Sequence, residues 1–189
     1  MQLHSHHMMN DDVRERIVPL KEVLSCMNLS AKDVVVDVGA GNGYYARAFA
    51  KLVSKVYALD ASYGEEELKQ LKGQAQAEGI NNLEFVARDA CQGLGVDHFT
   101  HAFFSNSFHD MRCRESLIEE ISHQTAKVTF VEFKPWTPFG PPPFRRISKE
   151  KLVELLSKYG YSPSCQKDFS YHYAVTFIPR DRDAATGKP

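Results

Sequence analysis

Short apolar runs and segments with helical spacing alternate along most of the chain. The runs are rich in β-branched and aromatic residues, which is typical of strands buried on both faces of a parallel sheet. Strands are predicted at 34–38, 55–60, 83–87, 99–106 and 127–134, and a terminal antiparallel pair at 164–169 and 171–178. Helices are predicted at 11–28, with a break at Pro19, and at 43–52, 65–78, 114–124 and 149–159. This alternation predicts an α/β fold with helices on both faces of one sheet.

A glycine turn follows the first predicted strand and leads directly into a helix. The sequence of residues 34–44 is VVVDVGAGNGY. Bare glycine backbone can approach a ligand, and a helix start offers N–H groups and a positive dipole end. The spacing is G-x-G-x-G rather than the G-x-G-x-x-G of dinucleotide sites, and no Gly-Lys-Ser/Thr follows, as a P-loop requires. Asp37 would repel a pyrophosphate, and it suits a ligand that carries an ammonium or sulfonium group.

Polar residues also follow the later strands, where ligands of an open α/β sheet bind. Asp60 ends the second strand, seventeen positions after Gly43. An acid there can accept hydrogen bonds from both ribose hydroxyls, or it can cap the next helix. Beyond the fourth strand, a histidine and an aspartate at His109 and Asp110 could act as a base or bind a metal, or His109 could cap the next helix. The proline-rich segment 135–144 predicts a stiff loop over this end of the sheet.

Composition predicts one globular domain without an electrostatic preference for nucleic acid or membrane. The chain has 189 residues and a net charge of -1. It contains no apolar run of the roughly 20 residues that span a membrane, and no signal peptide. The four cysteines, at 26, 91, 113 and 165, are scattered without a C-x-x-C pair. We therefore expect reduced thiols, no disulfide framework and a cytoplasmic location.

Three segments are expected along the chain. Residues 1–10 are predicted to form a flexible tail that contains His4, His6 and His7, which could also bind a metal or cover the site. Residues 11–179 are predicted to form the single domain, and residues 180–189 a frayed tail.

The stretch V-V-D-V-G-A-G-N-G closely resembles motif I of class I S-adenosylmethionine-dependent methyltransferases. This resemblance implies a Rossmann-like seven-stranded sheet of order 3-2-1-4-5-7-6 with strand 7 antiparallel. It also implies S-adenosyl-L-methionine as cofactor and S-adenosyl-L-homocysteine as product. In that family, the acid at the position of Asp89 receives the adenine amino group, and the next backbone N–H meets a ring nitrogen. The implied cofactor residues are Asp37, Gly39, Ala40, Gly41, Gly43, Tyr44, Asp60, Ala61, Asp89, Ala90 and Asn106.

A closer resemblance is carried by three later segments. Asn106-Ser107-Phe108-His109-Asp110, the T-P-F-G-P-P loop with Arg146, and Tyr171-His172-Tyr173 are similar to small ubiquinone/menaquinone-methyltransferase-related proteins of bacteria and archaea. The usual Lys-Pro-Gly-Gly turn before strand 5 is replaced by SHQTA at 122–126, so we expect that connection to differ. This likeness implies the fold and the cofactor, and it supplies no substrate.

The predicted function is in-line methyl transfer to a small-molecule acceptor. A sulfonium already activates the methyl group, so the protein mainly aligns the acceptor, which can contribute about 7–11 kcal/mol. An acceptor that must lose a proton also needs a base. The candidates are His109, Asp110, Glu132, Tyr171 and His172. Alternatives are a non-enzymatic S-adenosylmethionine-binding protein, a protein or metalloid acceptor, a metal-assisted variant and, disfavoured by the glycine spacing, an NAD enzyme.

Overall fold

The computed structural model describes residues 10–180. The predicted N-terminal tail with His4, His6 and His7 lies outside the described residues, apart from Asn10, and so does the C-terminal tail beyond Arg180. None of the helices within 10–180 is long and apolar enough to cross a membrane.

Seven strands form one sheet in the order β3-β2-β1-β4-β5-β7-β6. The strands are β1 (Val34–Val38), β2 (Lys55–Asp60), β3 (Leu83–Ala87), β4 (His101–Ser105), β5 (Lys127–Phe133), β6 (Tyr161–Asp168) and β7 (His172–Pro179). Strands β1 to β5 pair in parallel, and β7 is antiparallel to both of its neighbours. The predicted fold class, sheet order and antiparallel seventh strand are confirmed.

Within residues 10–180, six helices surround the sheet. They are α1 (Asp11–Ile17), α2 (Leu20–Met27), α3 (Tyr44–Ala50), α4 (Glu65–Ala77), α5 (Arg114–His123) and α6 (Lys149–Lys158). Two single 3-10 turns cover Ala90–Gln92 and Phe108–Asp110. Pro19 separates α1 from α2 as predicted, because proline cannot donate a backbone hydrogen bond within a helix. The cap of α1 is Asn10, whose side chain accepts from Asp12 N.

The strands bury apolar side chains on both faces of the sheet, as the β-branched runs predict. Phe104 of β4 belongs to a core with α5 and α6, which contribute Ile118 and Leu152. Phe103, one residue earlier, belongs to the opposite core with α2 and α3. Successive residues of a strand point to opposite faces, so two cores leave only the two ends of the sheet open to ligands.

The cysteines correct one sequence expectation. All four are paired, as Cys26–Cys165 and Cys91–Cys113, with a Cα–Cα distance of 5.4 Å in each pair. The partners are 139 and 22 residues apart in sequence, so spacing alone carried no signal of either bridge. Packing of α2 against β6 brings the first pair together. The expectation of four reduced thiols was therefore wrong, and the cysteines no longer support the expected cytoplasmic location.

Candidate cofactor and acceptor site

The glycine turn between β1 and α3 requires glycine at two closely packed positions. Gly39 and Gly43 have φ values of 74° and 70°. A Cβ atom on Gly39 would lie 2.5 Å from the Cβ of Ser107, and one on Gly43 would lie 2.8 Å from a ring carbon of Phe85. The turn is therefore pressed against the segment after β4 on one side and against β3 on the other.

Asp60 lies beside this turn, at the end of β2. One carboxylate oxygen accepts a hydrogen bond from Gly41 N at 3.0 Å, and the other accepts from Ser62 N at 2.9 Å. The Tyr63 hydroxyl donates to the Gly41 carbonyl at 2.8 Å. The N-cap of α4 is Gly64, so Asp60 does not cap that helix. Its carboxylate is held at the turn by two backbone N–H groups, half-buried and next to Ala61.

Asp89 lies at the neighbouring strand end, beyond β3. It is exposed, and one of its carboxylate oxygens accepts from Cys91 N at 2.9 Å, which caps the 3-10 turn. Ala90 is buried beneath it. Arg88 N donates to the Asp60 carbonyl at 3.1 Å, so the ends of β2 and β3 are joined directly beyond the strands. Asp60 and Asp89 thus lie at the carboxyl ends of two neighbouring strands.

Asp37 is a buried carboxylate on β1, directly before the turn. It is 2% exposed, and its Oδ2 atom has no hydrogen-bond partner in the described structure. Burial raises the pKa of Asp37 to about 7, Arg14 opposes this shift, and the charge of Asp60 adds to it. A bound cation would satisfy the unpartnered oxygen and favour the ionised form.

Helix α1 covers the glycine turn from outside. The guanidinium carbon of Arg14 lies 4.8 Å from the ring centroid of Tyr44, and its Nη1 atom is 3.4 Å from Asn42 Oδ1. The Tyr44 hydroxyl donates to Glu15 at 2.7 Å, and the Asn42 amide donates to Asp11 at 3.0 Å. Sequence reasoning missed this contact, because a short polar helix carries no signal of what it packs against.

The turn after β4 and the end of β5 hold a buried histidine–carboxylate pair. Nδ1 of His109 is 2.7 Å from Glu132 Oε2, and the His109 backbone N–H donates to Glu132 Oε1 at 3.1 Å. Both side chains are nearly inaccessible, at 4% and 1% exposure. Burial alone would lower the pKa of His109, but the hydrogen bond and charge of Glu132 raise it above its ordinary value, with Asp110 helping and Arg114 opposing. Glu132 therefore fixes the ring and favours its protonation.

The second ring nitrogen of His109 points the other way, towards the exposed carboxylate of Asp110. Nε2 lies 3.4 Å from Asp110 Oδ2, and Asp110 also pairs with Arg145 at 3.2 Å. Arg114 holds the loop from below, since its Nε donates to the Phe108 carbonyl at 3.1 Å and its Nη2 donates to the His109 carbonyl. This arginine was not anticipated from the sequence. It fixes the backbone that presents the imidazole.

Aromatic rings form a wall next to His109. Phe133 lies between His109 and His172, with ring centroids 5.9 Å and 4.3 Å away. Phe139 of the proline-rich loop contacts Tyr171 at 4.8 Å. His172 is buried with both ring nitrogens unpartnered in the described structure, and burial lowers its pKa to about 4. It is therefore a neutral imidazole packed against Phe133.

The proline-rich loop is held by one arginine. Arg146 donates hydrogen bonds to the carbonyls of Pro135, Thr137, Phe139 and Pro141. Trp136 and Phe144 remain exposed on this loop, at 65% and 84%. The predicted stiff loop thus gains its rigidity from prolines and from a side chain that occupies its centre.

Asn106 joins the two halves of the site. It directly follows β4 and has a positive φ of 53°, and its Oδ1 atom is buried without a hydrogen-bond partner in the described structure. The next residue, Ser107, donates to the Val38 carbonyl at 2.6 Å, directly before the glycine turn. The loop that carries His109 is therefore attached to the turn. Within residues 10–180, no group of three or more His, Cys, Asp or Glu side chains is placed to hold a metal ion.

Comparisons with known proteins agree with this architecture. Residues 35–128 match the family model described as a methyltransferase domain. A SAM-dependent methyltransferase from Aquifex aeolicus superposes with a TM-score of 0.73 and 22% identity, over 87% of this chain and 92% of that one. The 1,6-didemethyltoxoflavin-N1-methyltransferase of Burkholderia thailandensis was solved with 1,6-didemethyltoxoflavin and S-adenosylhomocysteine. It superposes with a TM-score of 0.68 and 20% identity, over 90% of this chain and 82% of that one. The [4+2]-cyclase SpnF superposes with a TM-score of 0.74 and 16% identity, over 92% of this chain and 83% of that one. No curated protein matches the chain.

Proposed function

We propose that this S-adenosylmethionine-dependent methyltransferase methylates a small-molecule acceptor, with His109 as general base and Glu132 as the group that orients it. The observation that carries the proposal is the buried His109–Glu132 pair on the loop attached to the glycine turn. Because the cyclase SpnF shares the fold, the fold by itself does not specify the reaction. The residues on the acceptor side therefore carry the argument.

The residues along the strand ends fit the proposed cofactor. The unpartnered Oδ2 of Asp37 suits the cationic part of S-adenosylmethionine, because a buried carboxylate is costly until it is paired. Asp60 would hold the ribose, and Asp89 with Ala90 the adenine. The bound cofactor supplies a methyl group that its sulfonium already activates. The chain then has to hold the acceptor in line, exclude water and remove a proton where the acceptor carries one.

His109 can remove that proton through Nε2. Its Nδ1 atom is committed to Glu132, whereas Nε2 faces Asp110 at 3.4 Å without a hydrogen bond. An acceptor that enters beside Asp110 would meet this nitrogen. Glu132 would stabilise the imidazolium that forms, since its charge favours the protonated ring. Asp110, exposed and paired with Arg145, would hold the polar end of the acceptor at the entrance.

The aromatic wall favours an apolar, flat acceptor. Phe133, Phe139 and Tyr171 provide ring faces beside His109, and Trp136 extends this surface to solvent. Such rings prefer other aromatic surfaces at contact distance. The structurally similar Burkholderia enzyme was solved with bound 1,6-didemethyltoxoflavin, which supports a small-molecule acceptor here. The closer relationship to the ubiquinone/menaquinone-methyltransferase-related proteins is part of this proposal.

The test is methyl transfer from labelled S-adenosylmethionine to a panel of phenols and nitrogen heterocycles. The parent is compared with His109→Gln, and with His98→Gln as an exposed control on the loop before β4. We expect the parent and His98→Gln to methylate members of the panel and His109→Gln to lose about 10²–10⁴-fold in rate while it still binds S-adenosylhomocysteine. Equal rates in parent and His109→Gln would refute the assigned base.

A further inference from the structure

The Cys91–Cys113 disulfide joins the two halves of the site. Cys91 lies in the 3-10 turn after β3, next to Asp89 and Ala90, and Cys113 is the N-cap residue of α5. The bridge therefore connects the turn proposed to hold the adenine with the helix that follows the His109 loop. No other covalent link crosses between these segments, since the second disulfide joins Cys26 to Cys165.

On the cofactor side, Cys91 is in direct contact with Asp89. Its backbone N–H donates to the Asp89 carboxylate at 2.9 Å, so the position of Cys91 sets the orientation of that carboxylate. The turn is short, because it covers only Ala90–Gln92. A change at the Cys91 side chain would thus be transmitted through a single hydrogen bond to the Asp89 carboxylate, at the proposed adenine end of the site.

On the acceptor side, Cys113 immediately precedes Arg114. That arginine donates to the carbonyls of Phe108 and His109 and so holds the backbone that carries the base. A path from Asp89 to His109 therefore runs through Cys91, the disulfide, Cys113 and Arg114, and its last step is the hydrogen bond from Arg114 to the His109 carbonyl. Opening the disulfide would loosen the first turn of α5 and the backbone that carries the His109 imidazole.

The fold does not depend on this bridge alone. Leu94 is buried, and its backbone N–H donates to Glu120 of α5 at 2.9 Å. The bridge is also the more accessible of the two, because Cys91 is exposed and Cys113 partly exposed, whereas Cys26 is only 3% exposed and Cys165 partly exposed. Thiol attack requires access to a sulfur atom. A soluble dithiol should therefore open Cys91–Cys113 before Cys26–Cys165.

We propose that Cys91–Cys113 is a reversible thiol–disulfide site whose reduction weakens cofactor binding. A thiolate of a dithiol reductant attacks the sulfur of Cys91, which is an exposed residue, and the Cys113 thiolate leaves and takes up a proton. The second thiol of the reductant then displaces Cys91, so two cysteine thiols form as the reductant becomes a disulfide. Reduction leaves Leu94 and Glu120 in contact but frees the turn at Asp89. The effect on affinity rests on the proposed cofactor site; the effect on local order does not.

The experiment uses the Cys26→Ser/Cys165→Ser double variant, in which only the proposed site can be reduced, and the Cys91→Ser/Cys113→Ser variant as its matched control. Alkylation and mass spectrometry establish which thiols are free before and after dithiothreitol. Calorimetry gives the Kd for S-adenosylhomocysteine in each state. We expect reduction to raise the Kd of the parent and of the first variant by about fivefold or more, and to leave the second variant unchanged.

Hydrogen exchange separates failure of this proposal from failure of the proposed function. Reduction should speed amide exchange at 89–92 and 108–110 in the parent, whether or not an adenosyl compound binds. If reduction speeds amide exchange but no adenosyl compound binds, the assigned cofactor is overturned and the reversible thiol–disulfide site is supported. Unchanged exchange and Kd after complete reduction of Cys91–Cys113, or free thiols at both positions in oxidised protein, would overturn the site itself. If the first variant fails to fold, the parent and the second variant still give this comparison.

Discussion

Replacement of Asp37 by asparagine tests the assignment of the cationic part of the cofactor. Asp37 is buried, one of its carboxylate oxygens is unpartnered, and its pKa is raised to about 7 by burial, against the effect of Arg14. A hydrogen bond or ion pair to a charged group contributes about 1.5–3 kcal/mol. Asp37→Asn should therefore weaken binding of S-adenosylhomocysteine, which shares the ammonium group, by roughly 10–150-fold near pH 8.

The pH dependence follows from the same carboxyl group. The ionised form binds the cation, so binding shifts the pKa of Asp37 downwards and releases a proton. With a pKa of about 7 in the free protein, affinity should be constant well above pH 7 and fall as pH drops below it. The limiting slope is about tenfold per pH unit, or about 1.4 kcal/mol.

Calorimetry in buffers of different ionisation enthalpy measures this proton directly. The parent should release roughly half a proton per ligand at pH 7 and approach one at pH 6, because the group is about half ionised at its pKa. Asp37→Asn should release none in this range, and the exposed Asp97→Asn should behave as the parent. A pH-independent Kd between 6 and 8 in the parent, without proton release, would refute the reasoning.

The stability of the ligand-free protein should change in the opposite sense. A carboxyl group whose pKa is raised from 3.8 to about 7 on folding costs stability as pH rises through that interval. Asp37→Asn removes this cost, so its denaturation midpoint should exceed that of the parent at pH 8 and match it more closely at pH 4. A variant that binds more weakly yet is more stable would identify Asp37 as retained for ligand binding.

Three further predictions concern other parts of the molecule. Glu132→Gln removes the charge, and weakens the hydrogen bond, that raise the pKa of His109, so the acid limb of kcat/KM should move to lower pH; a shift to higher pH would contradict the pairing. Gly39→Ala places a Cβ at a φ of 74° and 2.5 Å from Ser107, and should lower the free energy of unfolding in urea by about 1–3 kcal/mol; an unchanged midpoint would contradict the tight contact. The Cys26–Cys165 disulfide closes a sequence separation of 139 residues, and Cys91–Cys113 closes one of 22. By loop-closure entropy, the Cys26→Ser/Cys165→Ser variant should therefore lose about 5 kcal/mol of stability and the Cys91→Ser/Cys113→Ser variant about 3 kcal/mol. The reverse order would contradict that estimate.

Much of the fold could be predicted because the apolar pattern is continuous and clearly bounded. The bounds of β1, β2 and β3 agree with the predicted ranges, since the apolar segments there end at a glycine turn, at Asp60 and before Arg88. β6 begins three residues earlier than predicted, at Tyr161 rather than 164. The reason is Pro163, which argues against a strand in the sequence but is tolerated on this edge strand, where the pairing register shifts.

The candidate site was only partly predictable, because strand ends are local features and side-chain pairs are not. The pattern placed Asp37 in the first strand, Asp60 at the end of the second and Asp89 after the third, and the structure has the same arrangement. It named His109 and Glu132 separately, but not as partners, since they are 23 residues apart and meet only through the pairing of β4 with β5. The disulfides likewise join residues that are distant in sequence and meet only through the fold. The prediction of reduced thiols from the cysteine spacing was therefore wrong.

Calorimetric titration with S-adenosylmethionine, S-adenosylhomocysteine and NAD, on the parent and on Asp60→Ala, tests the cofactor assignment most directly. The Asp60 carboxylate is held beside the glycine turn by Gly41 N at 3.0 Å, and Asp97→Ala provides an exposed control. We predict that the parent and the control bind both adenosyl compounds, that Asp60→Ala binds neither, and that NAD does not bind. Binding of NAD in place of the adenosyl compounds, or adenosyl binding unaffected by Asp60→Ala, would contradict the assigned site.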